Sequence, residues 1–171
     1  MNSDSKHTKT IVLLALLTSI IYVSQLVLSI LPNVNVVTLL LIIYTLNFGI
    51  RKTFIISCSF NILMGITYGF SYWIIGYFWI YGLLIILSSL LDRIISRNLI
   101  LWSFFGLLFG LLFGFLFAIN DHYFIGVNFI AYYLRGIPFD IIHGFSNMIT
   151  ILVLFNPLNN VINKGLNTLL N

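Results

Sequence analysis

The chain has 171 residues, 60% of them hydrophobic and 7% charged, with a formal net charge of +4 and a mean hydropathy of +1.09. Soluble domains carry about 25% charged residues, so this chain lacks the charge for a water-facing surface, and its apolar content excludes disorder; an integral membrane protein remains. The excess of 8 Lys+Arg over 4 Asp+Glu therefore reports orientation in a bilayer rather than contact with nucleic acid, and the single Cys58 excludes an intrachain disulfide or a zinc cluster.

A helix needs about 20 mostly apolar residues to cross the hydrocarbon core. Polar punctuation predicts six such spans in one all-α membrane domain covering residues 1–171. The first runs from Thr10 to Leu31 and stops at Pro32-Asn33-Val34-Asn35. It lacks a small-x-small cleavage site, so it is expected to be an uncleaved span rather than a signal peptide. The second, Val36 to Ile50, is short and ends at Arg51-Lys52. The third covers Thr53 to Gly69, and the aromatic turn Phe70-Ser71-Tyr72-Trp73 leads to the fourth, Ile74 to Leu91. The fifth spans Leu99 to Ile119 and the sixth Pro138 to Phe155. Tyr123 to Gly136 is too short for its own return crossing and is predicted to be an interfacial or re-entrant helix before the sixth span. With this division, Lys6, Lys9, Arg51, Lys52, Arg93, Arg97 and Lys164 fall on one side and Arg135 alone on the other. The positive-inside rule then predicts cytoplasmic termini.

Gly106, Gly110 and Gly114 recur at four-residue spacing, with Ala118 continuing the row. Such a stripe lets another backbone approach closely. Packing within the bundle is the simpler reading; a partner interface on a scaffold or assembly protein is the rival. Ala15 and Ser19 form a smaller stripe on the first span, and Ser57, Asn61 and Gly65 form one on the third.

Ionisable groups inside spans are costly and hence informative. Asp140, His143 and Asn147 fall on one helical face. With Pro138 near N1 of the sixth span, Asp140 would lie near N3, where the helix dipole favours a carboxylate. Arg135 lies close enough in sequence to pair with Asp140 or Asp121. The outer side also collects Asn33, Asn35, Tyr72, Trp73, Tyr77 and Asp121. Each Tyr or Trp there serves as an interfacial anchor by default. Together they describe an outward pocket with apolar walls and a few convergent polar groups. No nucleophile elbow, zinc-binding His motif or P-loop occurs, so the chain is expected to be neither an enzyme nor its own energy source.

These residues resemble an S component, the substrate-binding membrane subunit of energy-coupling factor (ECF) vitamin transporters. The resemblance is carried by the small size, six predicted spans, Ala15-x-x-x-Ser19 on the first span, the short Leu31–Asn35 loop and the outer polar residues of the last spans. The family has Ala-x-x-x-Ala in the first span, so Ser19 departs conservatively. The runs Val34-Asn35-Val36-Val37-Thr38-Leu39-Leu40 and Gly136-Ile137-Pro138-Phe139-Asp140-Ile141-Ile142-His143 are most similar to a subgroup with cobalamin S components, though a glutamate expected near Asn35 is absent. The resemblance implies a multi-pass protein of the bacterial cell membrane that binds a vitamin through Asn33, Asn35, Tyr72, Trp73, Tyr77, Asp121, Arg135, Asp140, His143 and Asn147. It implies docking through Ala15 and Ser19 on a transmembrane coupling subunit served by two ATPase subunits, with no cofactor held by this chain itself.

Overall fold

A computed structural model describes residues 3–30, 36–96 and 98–170; for 3–6 and 166–170 only the backbone is considered. Among the described residues the chain is all-helical: α1 (Ser3–Leu28), α2 (Val37–Tyr68), α3 (Tyr72–Ile95), α4 (Leu99–Ile125) and α5 (Phe129–Leu170). All five helices contain segments long and apolar enough to cross a membrane. Asn33, Asn35 and Arg97 lie outside the described residues.

The division of α2 follows from one glycine. Gly49 has φ 79° and ψ 171°, inside an otherwise helical run. Side chains other than hydrogen are essentially excluded from that region. Two bonds to α1 show how far the chain turns there. The Tyr44 hydroxyl donates to Leu17 O at 3.4 Å, and the Tyr22 and Thr67 hydroxyls are 2.6 Å apart. Leu17 and Tyr22 are little more than one turn apart. A straight helix would separate Tyr44 from Thr67 by about 34 Å, too far for both bonds, so the chain folds back at Gly49.

The segment before Gly49 is the centre of the molecule. Residues 37–45 are all buried, which is why they are apolar on every side rather than along one stripe. The segment after Gly49 runs antiparallel to α3: Phe60 meets Tyr81 at 6.2 Å between ring centres, and Gly65 lies against Ile74. α3 and α4 are likewise antiparallel, with Tyr81 beside Phe113 and Trp79 Nε1 donating to Asn120 Oδ1 at 3.2 Å. Asn47 Nδ2 donates to Asn159 Oδ1 at 2.8 Å and ties the central segment to α5. These pairings put Gly49, the end of α3 and the start of α4 at one end of the bundle, and Gly69 and Gly126 at the other.

The Tyr123–Gly136 stretch does not form a separate interfacial helix. α4 continues to Ile125 and closes on Gly126 in the left-handed conformation (φ 70°), its N–H bonded to His122 O. Asn128 Oδ1 then accepts from Ala131 N at 3.0 Å, an N-cap that starts α5 near Phe129. α5 runs through Pro138 and Pro157 without interruption. Its 42 residues amount to about 63 Å of helix, roughly twice the length that one crossing of the hydrocarbon core needs. The early cap, rather than Pro138, sets the start of this helix.

Gly49→Ala is expected to destabilise the fold by about 1–3 kcal/mol, seen as a lower Tm of the detergent-purified protein. An unchanged Tm would mean that the reversal does not depend on this backbone conformation.

Candidate functional site

The site is built on a close contact between α4 and α5. A Cβ placed on Gly110 would lie 2.6 Å from Gly144 Cα, and one on Gly144 would lie 2.9 Å from Leu107 O. Bare backbone meets bare backbone here, so the glycine row of α4 is covered by α5 and is not an open surface. At one end of the row, Gly106 packs on Ile151 and Asn147; at the other, Gly114 packs on the Asp140 carboxylate.

This proximity determines what the buried polar residues do. The Gly114 N–H donates to Asp140 Oδ1 at 2.9 Å across the helix contact. Asp140 is 7% exposed, and its Oδ2 is buried with no hydrogen-bond partner. The helix-dipole account of Asp140 is therefore corrected: α5 begins at Phe129, so Asp140 is in mid-helix and is met by a backbone N–H of α4 instead. Nor does Arg135 hydrogen-bond either oxygen; it is exposed. His143, one turn inward, is buried with its ring 4.8 Å from that of Phe113. Asn147 lies deeper, its Nδ2 3.4 Å from Gly106 O.

Beside Asp140 opens a cavity of about 790 Å³ between α3, α4 and the start of α5. α3 contributes Tyr77, and α4 contributes Phe113, Gly114 and Phe117. Arg135, Phe139 and Asp140 line it from α5, with Asn128, Ala131 and Tyr132 nearer the α4–α5 connection. The aromatic wall is held by ring contacts: Tyr77 packs edge-on against Phe117 at 5.0 Å and stacks on Tyr81 at 5.2 Å. Gly76 makes room for the Phe117 ring, which a Cβ there would approach to 2.8 Å.

Of the residues selected from sequence, Tyr77, Arg135 and Asp140 line this cavity. Gly114 lines it too, although its spacing suggests only packing. Trp73 sits behind Tyr77, edge-on at 5.6 Å. Asp121 is buried and accepts from Asn120 Nδ2 at 3.1 Å. His143 backs the wall through Phe113. Tyr72 is exposed at the start of α3, and Asn147 serves the α4–α5 contact; neither reaches the cavity. Asn147 is drawn inward because Gly106 and Gly110 leave space for its amide. Phe113, Phe117 and Phe139, which also line the cavity, carry no individual signal in the sequence. Phe113 and Phe117 share the four-residue spacing of the neighbouring glycines, a clue that they continue one face.

Ala15 and Ser19 line a separate groove of about 600 Å³, between α1 and the second half of α2, with Ile55, Ser59, Ile62 and Leu63 opposite. Ser19 Oγ donates to Ala15 O at 2.9 Å, so its hydroxyl is satisfied within its own helix. No group of three metal-ligating His, Cys, Asp or Glu side chains occurs among the described residues. Comparison of the sequence with family models and curated proteins, and of the fold with solved structures, finds no match.

Gly110→Ala is expected to force α4 and α5 apart at a cost of about 1–3 kcal/mol. Gly165→Ala, with nothing within 4 Å, is expected to be neutral or to gain up to about 1 kcal/mol of helix propensity. Thermal unfolding of the two variants beside the parent checks this; equal Tm values for both would remove the glycine contact from its central role.

Proposed function

We propose that this chain is the substrate-binding membrane subunit of an ECF-type transporter, capturing a vitamin-like compound outside the cell and releasing it inward on docking to an ATP-driven module. The observation that carries this reading is the cavity at the Gly126 end of the bundle, where a buried carboxylate with an unpaired oxygen is set among aromatic rings. Its volume is in the range that encloses most of a drug-sized ligand. A cobalamin-like ligand would protrude from it, so a smaller compound suits the described walls better.

Orientation follows from charge. Lys9, Arg51, Lys52, Arg93 and Lys164 belong to the Gly49 end, and Arg135 to the cavity end. The positive-inside rule then turns the cavity outward. With α2 reversed at Gly49, the five helices make six passes, and both termini are cytoplasmic. The groove at Ala15 and Ser19 supports a docking role, because small residues let a partner helix approach closely. The chain has no nucleotide-binding loop, so ATP hydrolysis belongs to two partner subunits behind the transmembrane coupling subunit. The setting is the bacterial cell membrane. The rival scaffold reading loses its proposed interface, since α5 already covers the glycine face.

Topology is tested with single cysteines in a Cys58→Ala background. Tyr123→Cys should react with a membrane-impermeant maleimide on intact cells, and Lys52→Cys only after permeabilisation; the opposite pattern would reject the orientation. Transport is tested by reconstitution. Ligand that co-purifies with the chain, identified by native mass spectrometry, should enter vesicles only when ECF subunits and ATP are present. Ala15→Trp should abolish that uptake and leave ligand binding within about threefold of the parent, a change under 1 kcal/mol. Uptake by the chain alone, without ATP, would overturn the proposal.

A further inference from the structure

We propose that the cavity seats its ligand through a cationic nitrogen placed on the free Asp140 oxygen, between the aromatic walls. This inference rests on the capture reading and specifies the chemistry of its inner end.

The two oxygens of the Asp140 carboxylate differ in their surroundings. Oδ1 accepts the Gly114 N–H at 2.9 Å. Oδ2 is buried without a hydrogen-bond partner, on a residue that lines the cavity together with Tyr77 and Phe117. A buried acceptor left unmatched is costly, and an anionic one more so. A ligand offering only acceptors would place lone pairs against lone pairs there. One offering an ammonium or protonated ring nitrogen supplies both the donor and the countercharge.

The walls favour the same group. Rings of Tyr77, Phe113, Phe117, Tyr132 and Phe139 line the cavity, and aromatic faces attract a cation within about 6 Å of the ring centre. Of the other charged or acid–base groups near the site, Asp121 and His143 are not among the lining residues, and Arg135 lines the cavity from an exposed position. Asp121 accepts from Asn120 Nδ2. His143 lies behind Phe113, outside the lining. Arg135 is exposed and does not hydrogen-bond Asp140. Asp140 is thus the one carboxylate among the lining residues. Arg135 is left to meet an acceptor group at the outer end of the ligand, which orients the molecule with its cation inward.

The test titrates the full chain in lipid nanodiscs with tryptamine and with 3-propylindole, which replaces the ammonium by a methyl group of similar size. Empty nanodiscs give the blank for partitioning. Tryptamine is expected to bind at least about tenfold more tightly, the size of one charge-assisted hydrogen bond. Asp140→Asn keeps the side-chain shape and should bring the two probes within about threefold of one another. Ala131→Trp, which fills the cavity, should weaken both. Equal binding of the probes to the parent, weakened by Ala131→Trp, would overturn the cation assignment and leave capture standing. Binding of neither probe would overturn the cavity as a capture site, and this inference with it. Should Asp140→Asn fail to fold, the ratio of the two probes on the parent still decides.

Discussion

Helix association in a bilayer cannot draw on the hydrophobic effect in the way a soluble core does, because lipid tails are as apolar as leucine. Close packing and interhelical hydrogen bonds must serve instead. The α4–α5 contact supplies both at one place. Gly110 and Gly144 remove every side-chain atom between two backbones, and the gap closes far enough for Asp140 to reach the Gly114 N–H. Larger residues at 106, 110 and 114 would push α5 away, and Asp140 would lose its one polar partner. The site is thus a consequence of the packing: the stripe that draws the helices together also sets the carboxylate at the edge of a cavity. Beyond Gly114 the same faces carry Phe117, Phe139 and Tyr132, and the helix contact gives way to a space walled by rings.

Several hydroxyl side chains in the bundle have a simpler purpose. Thr18, Ser19, Thr45, Thr53 and Ser88 each donate to the carbonyl four residues earlier. A hydroxyl satisfied in this way can face lipid or core at small cost and needs no partner. Unmet buried atoms on Asn61, Asp140, Ser146 and Asn147 stand apart from these. Among those four residues, only Asp140 lines the large cavity. Burial alone therefore does not distinguish a ligand-facing group from a packing group. Burial, an unmet acceptor and an adjoining cavity coincide, among these four, at Asp140.

Several features were legible in the sequence for physical reasons. Helix periods and the cost of charge in hydrocarbon locate the apolar segments, and the four-residue glycine spacing marks a close contact wherever its partner lies. The reversal near Arg51-Lys52 was also foreseeable, because two adjacent charges interrupt an apolar run; that Gly49 makes the turn depends on a backbone angle that spacing cannot reveal. The division of the Tyr123–Gly136 stretch was not legible. Pro138 looks like a helix start, yet proline is tolerated inside membrane helices when neighbours satisfy the freed carbonyl, and the Asn128 cap begins α5 well before it. Reading Asp140 as an N-terminal carboxylate failed for the same reason. The cavity walls were hardest to see. A phenylalanine on a membrane helix is equally apt for lipid, core or ligand, and only the partner helix determines which. Phe113 meets Tyr77, Tyr81 and His143, while Phe104, on the same helix, is exposed.

The two recesses draw on different parts of the chain. The groove at Ala15 and Ser19 belongs to α1 and the second half of α2, whereas the cavity belongs to α3, α4 and α5. No residue lines both. Between them stands the segment 37–45, buried on every side, together with the α2–α3 packing around Phe60 and Tyr81. Such an interior transmits displacement as a body, because close-packed side chains have few alternative arrangements of similar energy. A partner helix, were one seated in the groove, would therefore act on the Asp140 cavity by moving the bundle as a whole, not by rearranging the residues that line it. In the transporter reading, this separation permits tight capture without a partner and makes inward release depend on docking.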